Sequence, residues 1–191
     1  MENKLSLLGN QKVSTLRGQK GLTLIELLVT IAILAIVLSM AVPNFITFVQ
    51  NSRLVGQTND LVTALNYARN EAIKRGVRVS VCSRLDNTTC SGAAVFNWDM
   101  GWLVFVNPNG DAVADISPGS VETVLQVRQP LENGNTLRTV GIQRVTYQNS
   151  GFSGNADTFR LCDSRGAASG RAIMVSLQGR VTIGTGPTAC P

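Results

Sequence analysis

Between Glu26 and Arg53 the chain runs for 26 residues without a formal charge, inside the stretch GLTLIELLVTIAILAIVLSMAVPNFITFV at residues 21–49. A helix rising about 1.5 Å per residue needs about 20 residues to cross a hydrocarbon core about 30 Å thick. The stretch therefore reads as a membrane-spanning helix, and whatever follows has to fold as a domain tethered to it. Glu26 stands near the start of the run, where a carboxylate costs about 2.5–3.5 kcal/mol on insertion scales. So unfavourable a residue calls for a partner or a purpose.

The flanks orient the segment. Lys4, Lys12, Arg17 and Lys20 precede it in a short polar stretch ending at Gly21, and short basic flanks stay on the cytoplasmic side. These residues also account for most of the charge. Four of the 17 basic and one of the 12 acidic residues lie before Leu22, so the formal +5 divides into +3 there and 13 minus 11, or +2, in the rest. The rest holds four cysteines and no histidine, which fits an oxidising compartment and paired thiols. About 140 residues beyond the apolar run suffice for one domain with its own core. A cleavable secretory signal is the competing reading, with small residues at 39–41 as a weak processing site.

Past Pro43, which removes a helical hydrogen bond and is expected to kink the helix, Leu54, Leu61, Leu65, Ala68 and Ala72 recur on one face. Arg53, Asp60, Arg69 and Lys74 fall largely elsewhere, as on a helix half covered by a domain. Gly76 is a natural stop. A continuous helix over 22–75 would be about 80 Å long at about 1.5 Å per residue. Val77, Val79 and Val81 then alternate with polar neighbours, predicting a half-buried strand. Trp102 to Val106 is nearly all apolar, predicting a strand covered on both faces. The exit NPNGD, 107–111, reads as a turn. A calcium loop through Asn107, Asn109 and Asp111 is disfavoured, because Gly110 is misplaced for an EF-hand and one side chain alone is charged. Further strands are expected at 121–129, 136–147 and 158–162, with a closing hairpin of 171–176 and 179–183 about Leu177 and Gln178. Short strands punctuated by turns predict an α+β domain, a long helix packed against antiparallel β-sheet.

The basic leader, Gly21 and LTLIEL resemble the type III signal sequence of type IV pilins and type II secretion pseudopilins. That resemblance implies cleavage by a prepilin peptidase between Gly21 and Leu22 and methylation of the new amino terminus. Leu22 stands where Phe or Met is usual. Glu26 becomes the fifth mature residue and an assembly device, since a buried carboxylate is tolerable when an opposite charge, here a neighbouring subunit's amino terminus, lies within a few Å. The runs LNYARNEAIKRGVRVSVC, WDMGWLVFVNPNG, FRLCDSRG and SLQGRVTIG narrow the resemblance to the GspH/FimT group of minor pilins and minor pseudopilins. A type IV pilin-like fold is implied, with 1–21 a leader, 22–49 the transmembrane and filament-core half of the helix, and 50–191 a periplasmic or extracellular globular domain. The chain is then a single-pass inner-membrane protein before assembly and lies at a pilus or pseudopilus tip afterwards, with other major and minor pilins or pseudopilins as partners. A minor subunit of a type IV pilus is the leading expectation, and a GspH-type secretion pseudopilin or a DNA-binding minor pilin the alternatives.

Four cysteines pair in three ways. Proximity favours Cys82–Cys90 and Cys162–Cys190, each contributing about 2–4 kcal/mol. No cofactor or metal is expected, since CxxC spacing and histidine are both absent. Catalysis is not expected either, since the acidic residues match no catalytic pattern. Charge is uneven: residues 22–127 carry 6 basic and 8 acidic side chains, whereas 128–191 carry 7 arginines against Glu132, Asp157 and Asp163. Some FimT relatives bind DNA through a Gly-Arg-Xaa-Arg motif, matched here by Gly179, Arg180 and Val181 but with Thr182 in place of the second arginine. Arg180, helped by Arg165 and Arg171, is the candidate phosphate contact. The favoured reading makes these arginines solvated strand-edge residues that discourage sheet aggregation.

Overall fold

The computed structural model describes residues 21–91, 96–110, 122–132, 134–186 and 189–190. The expected leader, apart from Gly21, lies outside the described residues, as do Asp111 of the NPNGD turn and position 121. The chain divides into two compact units, Met1–Asn44 and Phe45–Pro191. One α-helix, α1 (Leu24–Arg75), contributes to both and includes Pro43.

In the first unit α1 has no covered face. Its side chains from Leu24 through Val42 are exposed, and the helix is long and apolar enough to cross a membrane, with a mean hydropathy of 2.7 in its most apolar window. The second unit builds its core on the far half of α1. Leu54, Leu61, Leu65, Ala68 and Ala72 are all buried, spaced so that they share one face. Each buried leucine contributes about 1.5–3 kcal/mol, and the alanines let the sheets approach the helix closely. Gly76 ends the helix in the left-handed region at φ 68, its N–H donating to the Ala72 carbonyl at 3.0 Å.

Two four-stranded antiparallel sheets pack against the helix. The first has the order β3-β2-β1-β5, from β1 (Val79–Ser83), β2 (Trp102–Val106), β3 (Thr123–Val127) and β5 (Arg144–Tyr147). The second has the order β4-β6-β7-β8, from β4 (Thr136–Arg138), β6 (Asp157–Cys162), β7 (Arg171–Val175) and β8 (Val181–Thr185). Val79, Val81, Val104 and Tyr147 of the first and Leu137, Phe159, Leu161 and Ile173 of the second join the helix leucines in one core. Trp98 meets Phe159 edge to face there, with ring centroids 4.8 Å apart.

Two expectations need correction. First, β1 is buried along its whole length rather than on one face. Its outer side is covered because Cys82 packs with Cys90, Leu103 and Phe105 in a second apolar cluster, while Ser80 shares a hydrogen bond with Thr146 and accepts one from Asn107. Second, 136–147 is not one strand, since β4 and β5 belong to different sheets. The chain crosses between them with the Gly141 and Ile142 N–H groups both donating to Asp157 Oδ2 at 3.1 Å. A side chain thus satisfies donors that a ladder would otherwise take. Two charged residues of α1 are engaged by the domain: Asp60 pairs with Arg128 at 2.5 Å, and Arg69 reaches across to two turns.

Candidate assembly and processing site

The amino-terminal end of α1 is organised by Thr23. Its Oγ1 accepts from the Glu26 N–H at 3.2 Å, and its carbonyl accepts from Leu27 N–H at 3.1 Å. Thr-Xaa-Xaa-Glu is the spacing of a capping box, and an acidic residue in the first turn also suits the helix dipole. This local signal stands plainly in the sequence but is overshadowed by the membrane context of Glu26. The cap uses the Glu26 N–H, and among the described residues no cation lies within ion-pair distance of its carboxylate. Gly21 and Leu22 precede the helix in an exposed, non-helical stretch. A side chain at Gly21 would meet nothing within 4 Å, so the fold itself does not demand glycine there. At Pro43 the helix has no N–H to offer the Ser39 carbonyl, and Asn44 Nδ2 donates to the Met40 carbonyl at 3.0 Å.

In the domain, Cys82 is joined to Cys90 and Cys162 to Cys190. The first bridge closes a loop that Asp86 rigidifies by accepting from the Thr88 and Thr89 N–H groups, both at 2.7 Å. These hydrogen bonds hold the Asp86 carboxyl below its ordinary pKa. Arg84 ties the loop outward, donating to Met100 O, Asn87 Oδ1 and Gln129 Oε1.

The three arginines singled out for phosphate contact do not come together. Arg165 is engaged by Asp163 at 2.6 Å; burial disfavours the Asp163 charge, but its hydrogen bonds with Arg165 outweigh that and lower its pKa. Arg171 opens β7 opposite Thr185 and donates to the Ser169 and Gly170 carbonyls. Arg180 lies beyond the other end of β7, in the turn after the Val175–Val181 pair, on the order of 15 Å from Arg171 at strand spacing.

Sequence reasoning missed Arg69. Its Nε donates to the Gly151 carbonyl at 2.9 Å and its Nη2 to the Gln178 carbonyl at 3.2 Å. The two turns it grips share one design. Gly151 N–H donates to Gln148 O and Gln148 N–H to Phe152 O; likewise Gly179 N–H donates to Ser176 O and Ser176 N–H to Arg180 O. Gly151 and Gly179 supply the left-handed residue, at φ 81 and φ 75. The turns are also joined to each other, since Ser153 N–H donates to Leu177 O at 2.9 Å. Tyr147 lies buried nearby, and burial raises its hydroxyl pKa against the opposing charge of Arg69. Among the described residues no group of three or more acidic or cysteine side chains could hold a metal ion.

A capped, uncovered apolar helix carrying a single carboxylate, leading into a helix clasped by two antiparallel sheets, defines a type IV pilin-like subunit, a fold of structural subunits. Residues 57–179, more than half of the chain, match the family described as type II transport protein GspH, and residues 16–42 match the prokaryotic N-terminal methylation motif. The chain belongs to the GspH family, as a GspH/FimT-type minor pilin or minor pseudopilin. The methylation motif implies processing by the prepilin peptidase and assembly with other pilins. Two crystal forms of the type IV minor pilin FimU of Pseudomonas aeruginosa strain PAO1 share the fold. The P65 form is 19% identical with a TM-score of 0.54, covering 72% of this chain and 100% of that one. The P21 form is 20% identical with a TM-score of 0.56, covering 75% and 99%. No curated protein matches the chain.

Proposed function

We propose that the chain is a minor subunit of a type IV pilus, working at or near the filament tip. The observation that carries this reading is the bare apolar surface of α1 from Leu24 to Phe48, interrupted by no charge except Glu26. Such a surface has to be covered, first by lipid and then by the helices of neighbouring subunits. On this reading the peptidase cuts between Gly21 and Leu22 and the new amino terminus is methylated. The Glu26 carboxylate pairs with the amino terminus of a neighbour as both leave the membrane. Before assembly the helix crosses the inner membrane and the disulfide-bonded domain lies in the periplasm, the oxidising side. Likeness to a type IV minor pilin in fold, together with two disulfides suited to an extracellular domain, favours the pilus. The family match favours a second reading, a minor pseudopilin of a type II secretion system. Deleting the gene and assaying piliation, protein secretion and transformation side by side separates them. Loss of surface pili, restored by the intact gene, is the expected result. An unchanged pilus count with lost secretion would hand the chain to the pseudopilin reading.

A further inference from the structure

The twin turns gripped by Arg69 present an apolar surface that the core does not use. Leu177 is 54% exposed at a turn position where polar residues are the rule, and Phe152, immediately after Gly151, is 53% exposed. Their backbones are fastened side by side by the Ser153–Leu177 hydrogen bond. Ile73 of α1 is 51% exposed and lies against Gly151, its Cδ1 2.8 Å from where a side chain there would begin. Three large apolar side chains therefore emerge at one corner, on turns held rigid by Arg69. Clustered exposure of this kind on a fixed scaffold marks an interaction surface, because little ordering entropy is lost on docking.

The rim of this corner carries more cations than carboxylates. Arg180 follows Gly179, is exposed, and forms no ion pair among the described residues; Lys74 follows Ile73 with its side chain 77% exposed, its Nζ 3.7 Å from the Glu71 carboxylate, which Arg75 also engages at 2.6 Å. We propose that Ile73, Phe152 and Leu177, flanked by Arg180 and Lys74, form a docking surface for another pilin-type subunit that presents an apolar side chain beside carboxylates. The proposal rests on the filament-subunit reading. An apolar centre with cations at its edge fits a protein partner, whose hot spots are buried side chains ringed by polar contacts. A nucleic acid would call for the opposite arrangement, cations at the centre along a phosphate track.

The test is site-specific photocrosslinking of the full-length protein in its own cells, with benzoylphenylalanine placed in turn at Phe152, at Leu34 in the apolar helix and at exposed Leu85 in the disulfide loop. The expected result is an adduct from Phe152 to a different pilin-type subunit, mapped to a peptide with Asp or Glu beside an apolar residue, and no adduct from Leu85. In Arg180→Glu and in Leu177→Ser the adduct should fall about tenfold, the effect of losing one hot-spot contact, with the tryptophan fluorescence melting curve unchanged. Adducts from Leu34 but none from Phe152 would leave the filament reading intact and overturn the docking surface. Absence from both sites would overturn both readings. An adduct to a second copy of this chain alone, an adduct to nucleic acid, equal yield from Leu85, or indifference to both substitutions would each overturn the proposal.

Discussion

Gly179→Ala tests the junction between the two turns. Gly179 has φ 75, and a Cβ there would sit 2.2 Å from the Gly151 carbonyl oxygen and 3.2 Å from Arg69 Nε. The left-handed conformation costs a residue with a side chain about 1–2 kcal/mol. The clash is with backbone, so the Gly151 carbonyl has to move and its hydrogen bond from Arg69 is lost, about 1.5–3 kcal/mol for a charged donor. The sum is about 2.5–5 kcal/mol. Gly76→Ala is the matched control, since Gly76 has φ 68 but nothing within 4 Å of its would-be Cβ. It should cost the conformational part alone, about 1–2 kcal/mol. The two tryptophans of the chain, Trp98 and Trp102, are both buried in the domain, so their fluorescence reports its melting without interference from the apolar helix. At about 2–4 °C per kcal/mol for a chain of this size, Gly179→Ala should melt about 3–12 °C below Gly76→Ala. Melting points within about 2 °C of one another would refute the close approach of the turns and, with it, the role given to Arg69.

Because a Cβ at Gly21 would meet no described residue within 4 Å, a bulky residue there should leave stability untouched and an uncut precursor on a gel; normal maturation would contradict processing at Gly21–Leu22. Glu26→Val should permit cutting and membrane residence while depleting the subunit from sheared filaments relative to the membrane pool, and undiminished incorporation would refute the charge-pairing role. Stability against pH follows from three carboxyls. The Arg75 hydrogen bond lowers the pKa of Glu71, foremost among its causes, and Asp86 and Asp163 are lowered as well. Groups depressed on folding stabilise fully above their unfolded values, about 3.9–4.3, and lose that contribution as pH falls through the folded values. With no histidine in the chain, the melting point should be flat from about pH 5 to 8 and drop below about pH 4; a midpoint near pH 6 would refute this assignment.

What was legible in the sequence was local. The spacing of Leu54, Leu61, Leu65, Ala68 and Ala72, the stop at Gly76 and the unbroken apolar run from Trp102 to Val106 each follow from a period or a single residue's conformational preference. What was not legible depends on partners far away in the chain. Alternation along 136–147 gives no sign that Thr136–Arg138 and Arg144–Tyr147 pair into different sheets, because Asp157, which holds the crossing, arrives later. Val77 to Val81 reads as half buried because the cover on its outer side comes from Cys90, Leu103 and Phe105. Arg69 looks like a solvated helix residue until the carbonyls of Gly151 and Gln178 are placed beside it, 82 and 109 positions away. The spacing of the arginines is hidden for the same reason: Arg171 and Arg180 are close in sequence, but strand pairing puts them at opposite ends of one hairpin.

Glu26 joins the local and the distant kinds of information. Its N–H is taken by the Thr23 hydroxyl, so the first helical turn is closed without drawing on the carboxylate. Had the side chain itself been the cap, incorporation into a filament would have to break a stabilising hydrogen bond at the helix end, about 1 kcal/mol. With the cap assigned to Thr23, the carboxylate can accept a partner's amino terminus while the helix end stays formed. A charge that is unfavourable in lipid and uncommitted within its own helix is lowered in free energy most by leaving for a site that offers the opposite charge. On the filament-subunit reading proposed above, Glu26 would supply a thermodynamic direction, from membrane to filament. The exposed apolar side chains around it, from Leu24 to Phe48, would supply the contact area for that transfer.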